Sequence, residues 1–409
     1  MADRKTYNIS GIRMDFPILG KLINGKRNTF LDTAASAQKP LVVVDAMKEI
    51  YLEEYANVHR GTYSLSEQIT YKYEEARKKV QSFINAESKN EIIFTRGATE
   101  SINLVASTWG RKNLKKGDEV LISEAEHHAN LVPWQALKEE LGFELRIFQI
   151  GDDGSFIWES FVKNLNKKTK LVSVTAMSNV LGVIFPIKKL CAEAHKFGAK
   201  VLIDACQFAV HYKIDVRDID CDFLVFSGHK LYGPTGIGVL YGKYDIIEKM
   251  PPYQFGGDMI EKVSFDFSTY AEPPARFEAG TPAIVEAIGL AKALEYVENI
   301  GFENIEAHEK SLINYTNEKL SKVAGLRELC RIKDKGGVFS FVIDGVNSQD
   351  IAFVLDKEGV AVRTGHHCAE PLVARMGYHS VIRASLGLYS NEEDIDCLID
   401  ALIKAKTFF

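Results

Sequence analysis

Cysteine is scarce in this chain: six in 409 residues, at Cys191, Cys206, Cys221, Cys330, Cys368 and Cys397. No two form a C-x-x-C pair, which excludes a zinc ribbon and a thioredoxin-type redox motif by spacing. A disulfide framework belongs to small oxidised domains, so most of these thiols are expected to be buried small hydrophobes. Long apolar runs are missing as well. None reaches the roughly 18 residues that span a bilayer, and Met1-Ala-Asp-Arg-Lys-Thr6 leads into no apolar signal core. No membrane association and a cytoplasmic location are the resulting expectations. Nor is there an excess of positive charge. A net charge of −5 and a pI near 6.1 leave no footprint for nucleic acid. What is present is 46% apolar and 26% charged residues, the balance of a soluble protein with a substantial core. The length favours one large domain plus a smaller one. No repeat or low-complexity tract is visible.

From Glu91 onward, strand and helix patterns alternate. Strands are predicted at Glu91–Thr95, Glu119–Ser123, Glu144–Gln149, Leu171–Ala176, Val201–Asp204, Phe223–Phe226 and Ile237–Tyr241. Helices are predicted near Val42–Tyr55, Thr99–Thr108, Leu131–Leu141, Pro186–Phe197 and Ile284–Ile300. Another helix has Ile69, Tyr73, Ala76, Val80 and Phe83 stepping by four and three. This alternation predicts an α/β fold with a mostly parallel seven-stranded sheet. The last two strands are joined too briefly for a parallel crossover, so one antiparallel strand is expected. The large domain is assigned to residues 31–299. Residues 1–30, an arm with a short helix, join residues 300–409 in a smaller α+β domain. The final helix is expected to open on a capping box, Ser390-x-x-Glu393.

Several stretches could carry chemistry. In Thr95-Arg-Gly97-Ala-Thr99-Glu100 a strand ends, glycine turns the chain and a helix opens with free N–H groups, which suits an anion; a plain N-cap threonine is the alternative. His127 and His128 follow a strand. Adjacent histidines rarely converge on one metal ion, and no metal site is assigned; His127 could stack on a flat ring, shuttle protons or simply be a hydrogen-bonded loop residue. Val201-Leu-Ile-Asp204 delivers a carboxylate to a strand end, where open α/β sheets bind ligands, although a capping aspartate would read the same way. Ser227-Gly-His-Lys230 puts one lysine at the mouth of a buried strand, either a surface cation or a Schiff-base lysine. Arg363-Thr-Gly-His-His-Cys368 surrounds a thiol with cations and imidazoles that could make it nucleophilic. Arg383 could grip a carboxylate or form a structural ion pair. Two glycine patterns are set aside. Gly20–Arg27 lacks the Ser or Thr of a P-loop, and Gly236-Ile-Gly238 runs into a strand rather than a helix.

Taken in order, a phosphate turn, a stacking histidine, a strand-end aspartate and Ser-x-His-Lys resemble the fold-type I family of pyridoxal 5′-phosphate enzymes. Within it, Glu126-His-His-Ala-Asn130-Leu-Val-Pro-Trp134, Ser227-Gly-His-Lys230-Leu-Tyr-Gly-Pro-Thr-Gly236 and Arg363-Thr-Gly-His-His-Cys368-Ala are similar to the group II, SufS-type cysteine desulfurases. The resemblance covers nearly the whole chain. It implies that Lys230 holds the cofactor as a Schiff base and moves protons. His127 stacks on the ring, Asp204 pairs with the ring nitrogen and Gln207 faces its phenolic oxygen. Thr99, Ser227 and His229 bind the phosphate, with Thr281 reaching in from a second subunit of a homodimer. Asn179, Arg363 and Arg383 position the substrate carboxylate and the cofactor. Cys368 takes sulfur from L-cysteine as a persulfide, leaving L-alanine, and hands it to a SufE-like or SufU-like acceptor for iron–sulfur cluster assembly. A selenocysteine lyase or cysteine-sulfinate desulfinase is the alternative implied by the same site. Two residues depart from the family pattern, Tyr63 in place of histidine and Glu370 in place of an uncharged residue. They leave the choice of acceptor open.

Overall fold

Seven apolar stretches line up side by side in the computed structural model, which describes residues 7–409. They are β1 (Ile92–Thr95), β2 (Glu119–Ser123), β3 (Glu144–Phe148), β4 (Thr169–Thr175), β5 (Lys200–Asp204), β6 (Phe223–Ser227) and β7 (Gly238–Gly242). Their order across the sheet is β3-β2-β4-β5-β6-β7-β1. All neighbours run parallel except β7, which is antiparallel to both β6 and β1. β1, β2, β6 and β7 are buried along their whole length, as expected of strands covered on both faces. β3 lies at the edge, with charged Glu144 and Arg146 exposed alongside one apolar residue, Ile147, so the edge is guarded mainly by charge. The fold class and the single antiparallel strand match the sequence reading. Strand ends differ from it by one or two residues, and Glu91 turns in a short 3₁₀ segment instead of starting β1.

The helices that cover this sheet begin and end on recognisable signals. α1 (Leu41–Glu49) widens into a π-type turn over Ile50–Glu54. α2 (Ser64–Phe83) buries Ile69, Tyr73, Ala76, Val80 and Phe83, the five positions of the predicted stripe. α3 (Ala98–Val105) also continues as a π-type turn, to Gly110. α4 (Val132–Leu141) stops at Gly142, in the left-handed region. In α5 (Ile187–Lys196), Pro186 sits at the N-cap, one place before the predicted first turn, and Gly198 ends the run. α6 (Ile284–Ile300) packs on α1 and α2 and is buried around most of its circumference.

Beyond α6, an antiparallel sheet of β8 (Leu326–Glu328), β9 (Val338–Ile343), β10 (Arg363–Gly365) and β11 (Val381–Ser385) runs in the order β8-β9-β11-β10. α7 (Phe302–Ser321), α8 (Ser348–Lys357) and α9 (Glu392–Lys406) supply apolar residues to its core. The early segment Thr29–Phe30 pairs with Val360–Ala361, and Ser385 donates its N–H to the Leu31 carbonyl at 2.7 Å. The start of the chain is thereby sewn to the end. Met1–Thr6, the first part of the predicted arm and the stretch read for a signal, lie outside the described residues; the short helix of the arm is Ile9–Met14.

One cap departs from expectation. α9 starts a residue late, and its capping box is Asn391 with Asp394, not Ser390 with Glu393. Asp394 is buried between Arg13 and Arg27, which fixes it as the third residue of the helix. Ser390 instead accepts the Gly387 N–H. Among the described residues no helix is long and apolar enough to cross a membrane.

Candidate active site

Parallel strands leave a crevice at their carboxyl ends, and here five segments empty into it. β2 ends ahead of His127, β4 ahead of Asn179, β5 at Asp204 and β6 at Ser227, while β1 turns into α3. They enclose a cavity of about 180 Å³. Thr99, His127, Asn179, Asp204 and Gln207 line it, as do Ser227, His229, Lys230, Arg363 and Arg383. Of the twelve residues singled out from sequence, ten therefore share one wall. Cys368 lies next to it, with its Sγ 3.6 Å from Arg363 Nη2. Thr281 does not reach this cavity. It is exposed and lines a separate one with Tyr73, Arg96 and Glu100.

One end of the cavity is built for an anion. Gly97 is at φ 157° ahead of α3, whose first turn offers N–H groups. Ala98 donates its N–H to Ser227 Oγ at 2.9 Å, so the β6 hydroxyl and the helix start are held together. Gly238 of β7 backs this turn so closely that a Cβ there would come within 2.4 Å of Gly97 Cα. Only glycine fits. Thr99 is not the N-cap, since α3 already begins at Ala98; its side chain is free to face the cavity. His229 completes this end, with Nδ1 3.2 Å from Ser36 Oγ. Burial, helped by the charges of Lys230 and Lys39, lowers its pKa to about 4 and keeps the imidazole neutral.

The middle of the cavity is polar on two sides. Asp204 is buried at the end of β5 and accepts the Cys206 N–H at 2.9 Å. Gln207 Nε2 donates to the Ala34 carbonyl at 2.8 Å, which fixes which way its amide points. His127 accepts the Ala129 N–H on Nδ1 at 3.0 Å, so a neutral ring carries its proton on Nε2. Burial first, then the Lys230 charge, pulls its pKa down to about 4, against the opposing pull of Asp204. Lys230 is half-buried, and its charge is felt at His127, His229 and Cys206.

The far end is formed by the antiparallel sheet. Arg383 has a fully buried side chain and donates from Nη2 to Asp32 at 3.0 Å and from Nη1 to the Asn179 carbonyl at 3.1 Å. Burial lowers its pKa and raises that of Asp32 in spite of their pairing. The ion-pair reading of Arg383 thus holds in this geometry, while its position in the cavity wall leaves the carboxylate reading open. Asn179 Nδ2 donates to the His367 carbonyl at 2.8 Å. His367 and Cys368 follow each other at φ 53° and 58°, left-handed values that side chains avoid. Cys368 and Cys397 are half-buried; the other four thiols are buried.

Three supports were not visible as such in the sequence. Glu126 is buried and accepts from Ser123 Oγ (2.5 Å), Asn130 Nδ2 (2.7 Å) and the Thr175 N–H (3.0 Å). Asn130 in turn accepts from Trp134 Nε1 at 3.1 Å and Ser173 Oγ at 2.6 Å. The result is a connected frame under His127, and its i, i+4, i+8 spacing was the one hint available. Asp32 is separated from Arg383 by 351 positions, and no local pattern links them. Arg77, buried in α2, grips Glu278 with two N–H groups at 2.6 and 2.8 Å and so anchors the turn that carries Thr281.

The donor set matches pyridoxal phosphate in type. N–H and hydroxyl groups suit its phosphate, a carboxylate suits a protonated ring nitrogen, a neutral imidazole suits the ring face and an amine suits its aldehyde. The comparisons with known proteins point the same way. The family profile described as Aminotransferase class-V matches residues 29–398. A cysteine desulfurase of Dickeya dadantii is 49% identical over 397 residues, covering 97% of this chain and 96% of the relative. A cysteine desulfurase of Synechococcus elongatus is 46% identical over 401 residues; there the alignment covers 98% of this chain but 64% of the relative. The apo structure of a cysteine desulfurase from Thermococcus onnurineus superposes with a TM-score of 0.93 at 39% identity, covering all of both chains.

Proposed function

The chain belongs to the class-V aminotransferase family, and from that premise we propose that it is a pyridoxal-phosphate-dependent cysteine desulfurase of the SufS type. The observation that carries this reading is the pairing of one amine-bearing cavity with a half-buried thiol at its edge, Cys368; the wall's own thiol, Cys206, is buried and its pKa is pushed up. A transaminase needs Lys230 and Asp204 but has no use for Cys368 beside Arg363.

Bound in the cavity, pyridoxal phosphate supplies an electron sink that makes the Cα proton of a bound amino acid removable. The chain's residues do the rest. The first turn of α3 with Thr99, Ser227 and His229 holds the phosphate, and Asp204 keeps the ring nitrogen protonated. His127 covers the ring face with a neutral imidazole. Lys230 Nζ is the amine that would hold the cofactor through its aldehyde, and it is placed to move protons at the substrate. Asn179, Arg363 and Arg383 orient the substrate carboxylate. Cys368 Sγ, as thiolate, attacks the substrate sulfur. The S–S bond forms as the Cβ–S bond breaks, its electron pair stays on carbon, and a proton completes the methyl group of L-alanine. Atoms balance with no outside oxidant, because L-cysteine plus the Cys368 thiol become L-alanine plus a persulfide.

The working unit is a homodimer in which Thr281 of one protomer completes the partner's phosphate site; its exposure, away from its own cavity, supports this. The persulfide passes to a SufE-like or SufU-like acceptor for iron–sulfur cluster assembly in the cytoplasm, where thiols stay reduced. The test is to add L-cysteine to the purified yellow protein and measure alanine together with sulfur bound at Cys368. Alanine formed without dependence on Cys368 would favour an aminotransferase-like lyase instead.

A further inference from the structure

The turn that bears Cys368 is held in an unfavourable shape by a residue with no assigned role. His367 and Cys368 both have positive φ, at 53° and 58°, and neither is glycine or asparagine. Two successive left-handed residues persist only where surrounding contacts over-determine them. Most of those contacts come from the other side of the cavity. The His128 N–H donates to the Cys368 carbonyl at 2.7 Å, and His128 Nε2 accepts the Glu370 N–H at 3.0 Å. One residue thereby grips the turn at Cys368 and again two residues further on, once through main chain and once through its ring. Because Nε2 accepts, a neutral ring here carries its proton on Nδ1. The Glu370 N–H is one of the orphan donors that open the short helix Glu370–Arg375. Asn179 Nδ2 adds a third tie, to the His367 carbonyl. His128 also adjoins His127, which lines the cavity.

We propose that His128 is a positioning residue that couples the cavity wall to the sulfur-accepting turn, fixing Cys368 Sγ beside Arg363. This rests on the reading of Cys368 as the sulfur acceptor. The ring's acceptor atom is the part that matters, so glutamine, whose Oε1 can accept the same N–H, should replace it, whereas alanine should not.

Four measurements on the holoenzyme test this. In a single turnover, His128→Ala should slow sulfur transfer to Cys368 on the order of tenfold to a hundredfold. The L-cysteine concentration for half-saturation should shift by less than about threefold, because the groups that orient the carboxylate are untouched. His128→Gln should return transfer to within about threefold of the natural protein. Without L-cysteine, the rate at which iodoacetamide alkylates Cys368 should change in His128→Ala and not in His128→Gln. In the natural protein the Glu370 amide should resist hydrogen exchange, a readout that needs no variant to fold. Fast exchange there would overturn the inference, as would equal transfer rates in all three proteins or an equal loss in both variants. If the natural protein forms no persulfide at Cys368, the function fails, while alkylation and exchange still judge the role of His128.

Discussion

Asp204 and Ser227 sit where buried strands end, and each is fixed by a hydrogen bond to a main-chain N–H a short distance away in space. Cys368 sits on a turn at positive φ, half-buried, and is fixed by groups from segments more than 180 positions away. The first half of the site is scaffold. Its geometry follows from the sheet and would be hard to move without unfolding β5 or β6. The second half is a strained turn leaning on the first, so it can be loosened while the cavity remains. Chemistry at the cofactor and capture of sulfur should therefore be separable by mutation.

The sharpest break of that comparison is Lys230→Ala. It should abolish the covalent link to the cofactor and lower alanine formation by about 10⁴-fold or more, the upper range for losing a proton-transfer group that also acts as nucleophile. Absorbance after denaturation and alanine release read this out. Cys368→Ala should be the complement. Persulfide disappears and alanine release falls to background, but the yellow colour and the spectral change on adding L-cysteine remain. Loss of colour in Cys368→Ala would mean that the two halves are not separable.

Stability should follow the same division. Arg77 is buried in the scaffold and paired with Glu278, whose carboxylate also accepts the Phe94 N–H at 2.7 Å. Arg77→Leu leaves that carboxylate buried without its cation and should cost about 3–5 kcal/mol in denaturant unfolding. It should also loosen the turn that carries Thr281. A pH-dependent effect is expected at Glu126, whose burial raises its pKa from 4.5 to about 8. Between those values the folded protein keeps a proton that the unfolded chain has released. Stability from this group therefore falls as pH rises, by about 1.4 kcal/mol per pH unit at most. Glu126→Gln should flatten that descent between pH 5 and 8. An unchanged slope would show that the frame under His127 holds an ionised carboxylate.

Much of the scaffold was legible in the sequence, and for a physical reason. Strands buried on both faces must be continuous apolar runs, so Val201–Asp204 and Phe223–Phe226 announced themselves, with Asp204 and Lys230 standing out at their ends. Local signals failed where the deciding contact was distant. Arg13 and Arg27 select Asp394, and hence Asn391, for the last capping box. Asp32 selects the orientation of Arg383. The hold of His128 on Glu370 spans 242 positions and leaves no periodic trace. Residue type pointed to the chemistry of the site, but only the fold gives the contacts that keep its parts in register.

The central claim is that a cofactor cavity and one adjacent thiol act in sequence on L-cysteine. Mass spectrometry of the cysteine-bearing peptides after brief exposure to L-cysteine tests it most directly. One added sulfur on the peptide containing Cys368, formed together with alanine and lost in Lys230→Ala, is the predicted result. Sulfur found on Cys397, the other half-buried thiol, or alanine released with every cysteine unmodified, would contradict it.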